Sequence, residues 1–249
     1  MIVHSFDDRS DPLFGPGDFL GPQRHLCDIC ILTFSHVILE EMKRLFELRQ
    51  TADIRAANGA VPVYLFEHEG QTLAVHLSGI GSTQAGTNVI ELNWLTGATK
   101  FIMFGSAGCL DRAAAEGKYV LPTEAYRDEG LSYHYAPASD YIRIRNADFL
   151  GGVFAELGLP AVKARVWTTD GIYRETRNNV SARKDDGCVA VEMELAGVQA
   201  VCDWHGFELY DFLVTGDVLD GPSYEIAGLH NANHDLDKLW IALEIAKRI

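Results

Sequence analysis

The feature that most constrains this chain is an alternation that begins at Cys27 and continues to the C-terminus. Short apolar runs of strand length are each followed by a segment with helical periodicity. Ile29 to Phe34 is the first run. Ser35 stands where a helix cap belongs, and Val37, Ile38, Met42, Leu45 and Phe46 then form one apolar stripe. Val61 to Phe66 and Thr72 to Leu77 read as two strands joined by a turn at Glu67–Gly70. A helix is predicted from Ser82 to about Thr96, with Gly97 as its C-terminal stop. Lys100–Phe104, Tyr119–Leu121, Arg165–Thr168 and Leu209–Val214 read as further strands. Ala147–Leu157, Glu192–His205 and Asp235–Arg248 read as helices, the first two stopped by Gly158 and Gly206. Strands alternating with helices predict an α/β fold: one three-layer α/β/α domain around a mixed, mostly parallel, twisted central sheet. In such sheets ligands gather at the carboxyl ends of the strands, so the residues that follow each strand carry the functional signal.

Residues 1–25 stand apart. Pro12, Pro16, Pro22, Gly15, Gly17 and Gly21 make them an irregular arm, leaving residues 26–249 as the domain proper. No apolar run approaches the roughly 18 residues of a membrane helix, and the first eight residues lack the pattern of a secretory signal. With 21 Lys and Arg against 35 Asp and Glu, the net charge is −14, which disfavours binding to a nucleic-acid backbone but leaves a local anion pocket open. Five cysteines, Cys27 and Cys30 among them as a C-x-x-C pair, read as buried structural thiols in a reducing cytoplasm. On a strand, residues three apart point to opposite faces, and no second pair follows to complete a zinc site.

Three strand ends carry chemistry. Ser78-Gly79-Ile80-Gly81 follows one strand and Gly105-Ser106-Ala107-Gly108 another; glycine there lets the backbone approach a ligand and exposes N–H donors. Neither matches a Walker A loop or a dinucleotide fingerprint, since Gln84 stands where the third glycine would be. Val191-Glu192-Met193-Glu194 is expected to open a helix with two carboxylates flanking a thioether. A carboxylate accepts two hydrogen bonds and so complements a vicinal diol, while methionine packs on an apolar sugar face. Asp217, reached through Thr215 and Gly216, stands after the last strand, in position for acid–base work. The loop from Thr168 to Arg177 carries Tyr173, Arg174 and Arg177 and is expected to form a lid or a recognition wall. His230 and His234 lie four apart, but Asn231 rather than a glutamate follows His230, so no metal site is expected.

Taken together, these segments resemble the nucleoside phosphorylase superfamily, which includes purine nucleoside phosphorylases, uridine phosphorylases and methylthioadenosine nucleosidases. Ser78–Gly81, Phe104–Gly108, Asp170–Tyr173, Val191–Glu194 and Thr215–Asp217 stand in that family's order, and Arg127–Tyr135 is also similar to a phosphorylase segment. The resemblance implies a nucleoside phosphorylase that cleaves an N-glycosidic bond to free base and pentose 1-phosphate. Phosphate is the co-substrate, no cofactor is needed, and the assembly is a homo-oligomer (dimer or hexamer). It implies Asp217 and Glu194 as catalytic residues. Gly81, Gly105, Ser106, Ile172, Tyr173, Arg177, Glu192, Met193 and Glu194 would bind substrate. Gly105 and Ser106 would contact phosphate, Ile172 and Tyr173 would wall the base, and Glu194 would take the ribose diol. His4 would correspond to a histidine donated to a neighbouring subunit. Two departures stand out. Met103 occupies the position of the phosphate-binding arginine, which leaves the charge to Arg49, Arg55, Arg127 or a partner chain. The stretch Thr33–Ile38 lacks the acid that nucleosidases use. Hydrolysis of the same bond, or nucleoside binding without turnover, are therefore the alternative activities.

Overall fold

The computed structural model describes residues 1–249. Its strands are β1 (Ile29–Thr33), β2 (Arg49–Ala56), β3 (Gly59–His68), β4 (Gln71–Leu77) and β5 (Lys100–Cys109). They continue as β6 (Tyr119–Asp128), β7 (Tyr141–Arg143), β8 (Ala161–Thr169), β9 (Cys188–Glu192) and β10 (Glu208–Val218). The helices begin with α1 (Gly17–Leu20), α2 (His36–Leu45), α3 (Ser82–Thr96), α4 (Arg112–Ala115) and α5 (Ser132–Tyr135). The rest are α6 (Ala147–Glu156), α7 (Arg177–Asp185), α8 (Leu195–His205), α9 (Leu229–His234) and α10 (Asp237–Ala246). None is long and apolar enough to cross a membrane.

All ten strands join one mixed sheet. The centre is parallel: β4, β1, β5 and β10 lie side by side, and β6, β8 and β9 form a second parallel group. Antiparallel pairings join the two groups (β10 with β6, β5 with β9) and build the edges through β2, β3 and β7. Because β5 pairs with both β9 and β10, the strands β5, β9, β8, β6 and β10 close into a ring, and only β2 is left as a free edge of the other wing.

Alternate residues on the strands feed two separate cores, which is the physical content of the three-layer expectation. Cys30, Leu32, Phe101, Met103, Leu209 and Leu213 face α3 and α8 on one side. Ile29, Ile31, Ile102, Phe104, Tyr210 and Phe212 face α2, α6 and α10 on the other. Phe104 stacks on Phe212 at 5.5 Å between centroids, and both are fully buried. Burying a side chain of this size contributes about 1.5–3 kcal/mol. All five cysteines are free and buried, and burial pushes the Cys27 thiol up to about 11, as expected for inert structural thiols.

Several boundaries differ from the sequence reading, each for a local reason. β5 does not stop at Phe104. Gly105, Ser106 and Ala107 pair with Leu213, Val214 and Thr215, and Gly108 pairs with Val191, so the glycine segment is strand rather than turn. β10 likewise continues through Thr215 and Gly216 and carries Asp217 within it. Glu192 ends strand β9 instead of opening a helix, and α8 starts at Leu195. Thr168 and Thr169 complete β8, a 3-10 turn spans Ile172–Arg174, and Arg177 begins α7. The C-terminal helix is split: α9 precedes α10, which runs only from Asp237 to Ala246. β2 is an additional strand, and the arm contains the short helix α1.

Candidate active site

The strand ends of β5, β9 and β10 open into a cleft of about 990 Å³. A smaller chamber of about 150 Å³ lies beside it. Ile80, Ser106, Glu194 and Asn233 line both, so the two are contiguous around the Glu194 carboxyl.

The β9–α8 junction positions the two glutamates. Glu192 Oε2 accepts the backbone N–H groups of Glu194 and Leu195, each at 2.7 Å, and its Oε1 accepts the Thr168 hydroxyl. The Glu192 carboxyl thus caps the N-terminus of α8, and this explains why the helix begins three residues later than the sequence suggested. Glu194 is held from the other side. Gly81 donates its N–H to Glu194 Oε1 at 2.6 Å, and the Ser82 hydroxyl donates to the carbonyl of Met193 at 3.0 Å. Gly81 has φ of 101°, a region that favours glycine, and this turns its N–H toward the carboxyl at the start of α3. Close helix contact is needed here: a Cβ on Gly197 of α8 would lie 2.6 Å from the Ser82 Cβ. Burial raises both carboxyls, Glu192 to about 8 with added repulsion from Glu194, and Glu194 to about 7.

The small chamber is lined by Ser35, Gly105, Ser106, His234 and Lys238. Ser35 caps α2 by accepting the Ile38 N–H at 3.2 Å, and its hydroxyl lies 2.8 Å from His234 Nδ1. The Ser106 hydroxyl donates to Asn233 Oδ1. Lys238 is buried, with its ammonium on the carbonyls of Ala232 and Asn233, the latter at 3.4 Å. Burial lowers its pKa to about 8, which still leaves it charged at neutral pH. Desolvation, together with the neighbouring His230, His36 and Lys238, lowers the His234 pKa, so Lys238 carries the positive charge of this chamber near neutrality.

Acids that do not border the small chamber also line the cleft. Asp217 and Glu175 are both among its lining residues. Burial, then repulsion by Asp217, raises Glu175 to about 7. Tyr224 adjoins Asp217, and burial is the main reason its hydroxyl is pushed up to about 12. Arg177 also lines the cleft, with its guanidinium on the Pro222 carbonyl at 2.6 Å, and Lys184 pairs with Asp220 at 2.5 Å. Met193 lines the cleft as well, as do the exposed Ile172 and Tyr173.

Of the residues singled out from sequence, Gly105 and Ser106 border the small chamber, and Ser106, Ile172, Tyr173, Arg177, Glu192, Met193, Glu194 and Asp217 border the cleft. Gly81 borders neither and acts through its hydrogen bond to Glu194. The cations considered for phosphate lie elsewhere. Arg49 and Arg55 sit on the edge strand β2. Arg127 is buried and spends its guanidinium on Ser132, Ala136, Pro137 and Ser139 while stacking on Tyr133. Lys238 and Glu175 were not legible in the sequence. The first sits in an amphipathic helix pattern where lysine reads as a solvent-facing residue, and the second in a charged loop. Asp211 is a third. It lies in the middle of β10, buried, with both carboxyl oxygens unpartnered and its pKa raised far above the usual range by burial and by Glu192 and Glu194. A charged residue inside the apolar run Leu209–Val214 was the signal for it.

The site thus combines a closed, mixed sheet with glutamates at a strand-to-helix junction and an adjoining polar chamber. The model of the phosphorylase superfamily matches residues 28–240 of this chain, and the chain belongs to that family. A DeoD-type purine nucleoside phosphorylase of Exiguobacterium sp. strain ATCC BAA-1283 / AT1b is 24% identical over 172 residues, covering 67% of this chain and 73% of that protein. Uncharacterized protein R802 of Acanthamoeba polyphaga mimivirus is 24% identical over 175 residues, covering 69% of this chain and 66% of that protein, just under two thirds of its length. Among solved structures, AMP nucleosidase from Bacteroides thetaiotaomicron VPI-5482 superposes with a TM-score of 0.68 at 20% identity, covering 90% of each chain. Futalosine hydrolase of Helicobacter pylori strain 26695 gives 0.70 at 15% identity, covering 88% of this chain and 98% of that one. At these identities the structural likeness speaks to the fold alone.

Proposed function

We propose that the protein cleaves the N-glycosidic bond of a nucleoside with phosphate as the acceptor. The observation that carries this reading is the small chamber beside Glu194, which pairs one buried cation, Lys238, with the hydroxyls of Ser35 and Ser106. A lysine ammonium has three N–H donors. Two rest on the carbonyls of Ala232 and Asn233, leaving one for an anion. This arrangement supplies the charge that Met103 does not.

In this reading Glu194 holds the ribose diol and Met193 packs on the sugar, with C1′ facing the small chamber. A phosphate oxygen forms a bond to C1′ as the C1′–N bond breaks. The electron pair of that bond leaves with the base, which takes a proton from the carboxyl group at Asp217. Positioning of the two reactants and neutralisation of the leaving base are the sources of rate enhancement, and general acid catalysis alone commonly supplies about 10²–10⁴-fold. Phosphate as co-substrate, the absence of a cofactor, and assembly into a homo-oligomer with His4 reaching a neighbour belong to the same proposal.

Hydrolysis is the second reading. Glu194 borders both cavities and its carboxyl is raised to about 7, so a water in the small chamber would face a general base near neutral pH. Two proteins of similar fold, an AMP nucleosidase and a futalosine hydrolase, bear names that agree with it. Initial rates of base release, measured with phosphate from zero to saturating concentration, separate the two. Phosphorolysis requires a rate that vanishes without phosphate and saturates with it; a rate indifferent to phosphate assigns the bond cleavage to water.

A further inference from the structure

Both hydroxyls that would meet an anion in the small chamber are bonded to α9. The Ser106 hydroxyl donates to Asn233 Oδ1, and Ser35 Oγ lies 2.8 Å from His234 Nδ1. Asn233 and His234 line the chamber, and these two contacts are the only hydrogen bonds their side chains make. We propose that Asn233 and His234 set the direction of the Ser106 and Ser35 hydroxyl protons, and that entry of phosphate reverses both hydrogen bonds. The two residues are then positioning residues of the phosphate site, a role that rests on the reading of this chamber given above.

A serine hydroxyl has one proton and two acceptor lone pairs. Ser35 Oγ gives one lone pair to the Ile38 N–H, 3.2 Å away at the start of α2. When its proton goes to His234 Nδ1, only a lone pair is left for the chamber, and a lone pair repels an anion. When Nδ1 carries the proton and donates to Ser35 Oγ, both lone pairs are filled and the serine proton is left for the chamber. Ser106 stands in the same relation to Asn233. Its proton rests on Oδ1, and turning the carboxamide over brings an Nδ2–H to Ser106 Oγ and frees that proton. Neither reversal changes the net charge, and neither side chain has another partner to lose. His234 needs only its other neutral tautomer. Desolvation, then His230, His36 and Lys238, disfavour its charged form, with the His230 and His36 rings 4.8 and 5.4 Å away between centroids; Glu194 is the acid that borders the same chamber. Lys238 is set by the same stretch of chain, since it spends two N–H groups on the carbonyls of Ala232 and Asn233. With both bonds reversed, the ammonium, Ser35 and Ser106 each turn a donor to the anion; with neither reversed, only the ammonium does.

Inorganic phosphate is the probe, added to the full-length protein without nucleoside. In the nitrogen NMR spectrum of protein carrying isotope-labelled histidine, the His234 signals are identified by their loss in His234→Gln. On addition of phosphate the His234 Nδ1 signal should move from the position of an unprotonated ring nitrogen to that of a protonated one, with Nε2 moving the opposite way. His234 signals that saturating phosphate leaves in place would overturn the proposal. Calorimetry then measures the phosphate Kd of the wild type, Asn233→Asp, Ser106→Ala and the double variant, each checked for folding by its melting temperature. A carboxylate at position 233 only accepts, so it keeps the Ser106 proton out of the chamber, and Asn233→Asp should raise the Kd about tenfold or more. Part of that rise is plain charge repulsion, which persists without Ser106. In the Ser106→Ala background the same substitution should therefore cost about fivefold less. Equal costs in the two backgrounds, or wild-type affinity in folded Asn233→Asp, would overturn the proposal even if cleavage depends on phosphate. Base release that is indifferent to phosphate, in a protein that still binds it, counts against the proposed function alone. A wild-type protein that binds no phosphate overturns both.

Discussion

Replacing Lys238 with methionine removes the one charge that the small chamber offers an anion near neutral pH, while keeping an unbranched stem of similar reach. Lys238 is 1% exposed, so solvent cannot restore the missing donor. The variant loses one charged hydrogen bond to phosphate, worth roughly 1.5–3 kcal/mol. At about 1.4 kcal/mol for each factor of ten, this amounts to about a 10- to 150-fold rise in the KM for phosphate. The cost to folding is smaller, because the Ala232 and Asn233 carbonyls lose a partner while the penalty for burying an ammonium disappears. Initial rates against phosphate concentration, at saturating nucleoside, should show the defect in KM rather than in kcat extrapolated to saturating phosphate. The wild-type protein provides an internal check. Its Lys238 pKa is lowered to about 8, so the phosphate KM should rise as pH passes upward through 8, and the variant should lack that rise. A folded Lys238→Met protein with the wild-type phosphate KM would refute the assignment of this chamber to an anion.

Three further outcomes concern Glu192, Asp211 and Asp217. The Glu192 carboxyl is raised from 4.5 to about 8, so folding favours its protonated form: its contribution is full below about pH 4.5 and is lost as pH rises to about 8. Glu192→Gln keeps an acceptor for the Glu194 and Leu195 N–H groups and should make the fall in melting temperature between pH 5 and 8 shallower; an unchanged slope contradicts the assignment. Asp211→Val removes two unpartnered buried oxygens and should stabilise the protein by roughly 1–3 kcal/mol, each worth about 2–4 °C in a chain of this size. A lower melting temperature would mean that the carboxyl has a partner. Asp217→Asn should slow nucleosides with a poor leaving base by about 10²–10⁴-fold while sparing those with an activated leaving group. Equal slowing of both classes, or a loss confined to thermal stability, would make Asp217 structural.

How much of this was legible in the sequence depended on whether a signal was local. α3 was read to the residue because Gly97, at φ of 88°, is a left-handed stop that only the local chain determines. The two-sided burial of β1 was legible because Ile29 to Leu32 is apolar on both faces. Glycine was misread at Gly105–Gly108, where pairing to Leu213 and Val191, far along the chain, overrides its tendency to mark a turn. The Val191–Glu194 segment showed two acids near a helix start, but not that Glu192 caps the helix while Glu194 faces the cleft; a hydrogen-bond geometry separates them. β2 went unread because its residues are mostly polar and partly exposed, with only Ile54 buried. Ring closure was beyond reach, since β5 acquires two sets of neighbours through contacts that leave no periodicity. Lys238 and Glu175 owe their chemistry to what surrounds them, and those neighbours come from other parts of the chain.

The central claim is that phosphate, not water, takes the sugar. Phosphorus NMR of a reaction containing the protein, a nucleoside and inorganic phosphate tests it most directly. The account predicts a new phosphate-ester resonance, from pentose 1-phosphate, that grows mole for mole with released base as the inorganic phosphate signal declines. Release of base with the inorganic phosphate signal unchanged and free pentose accumulating would contradict it.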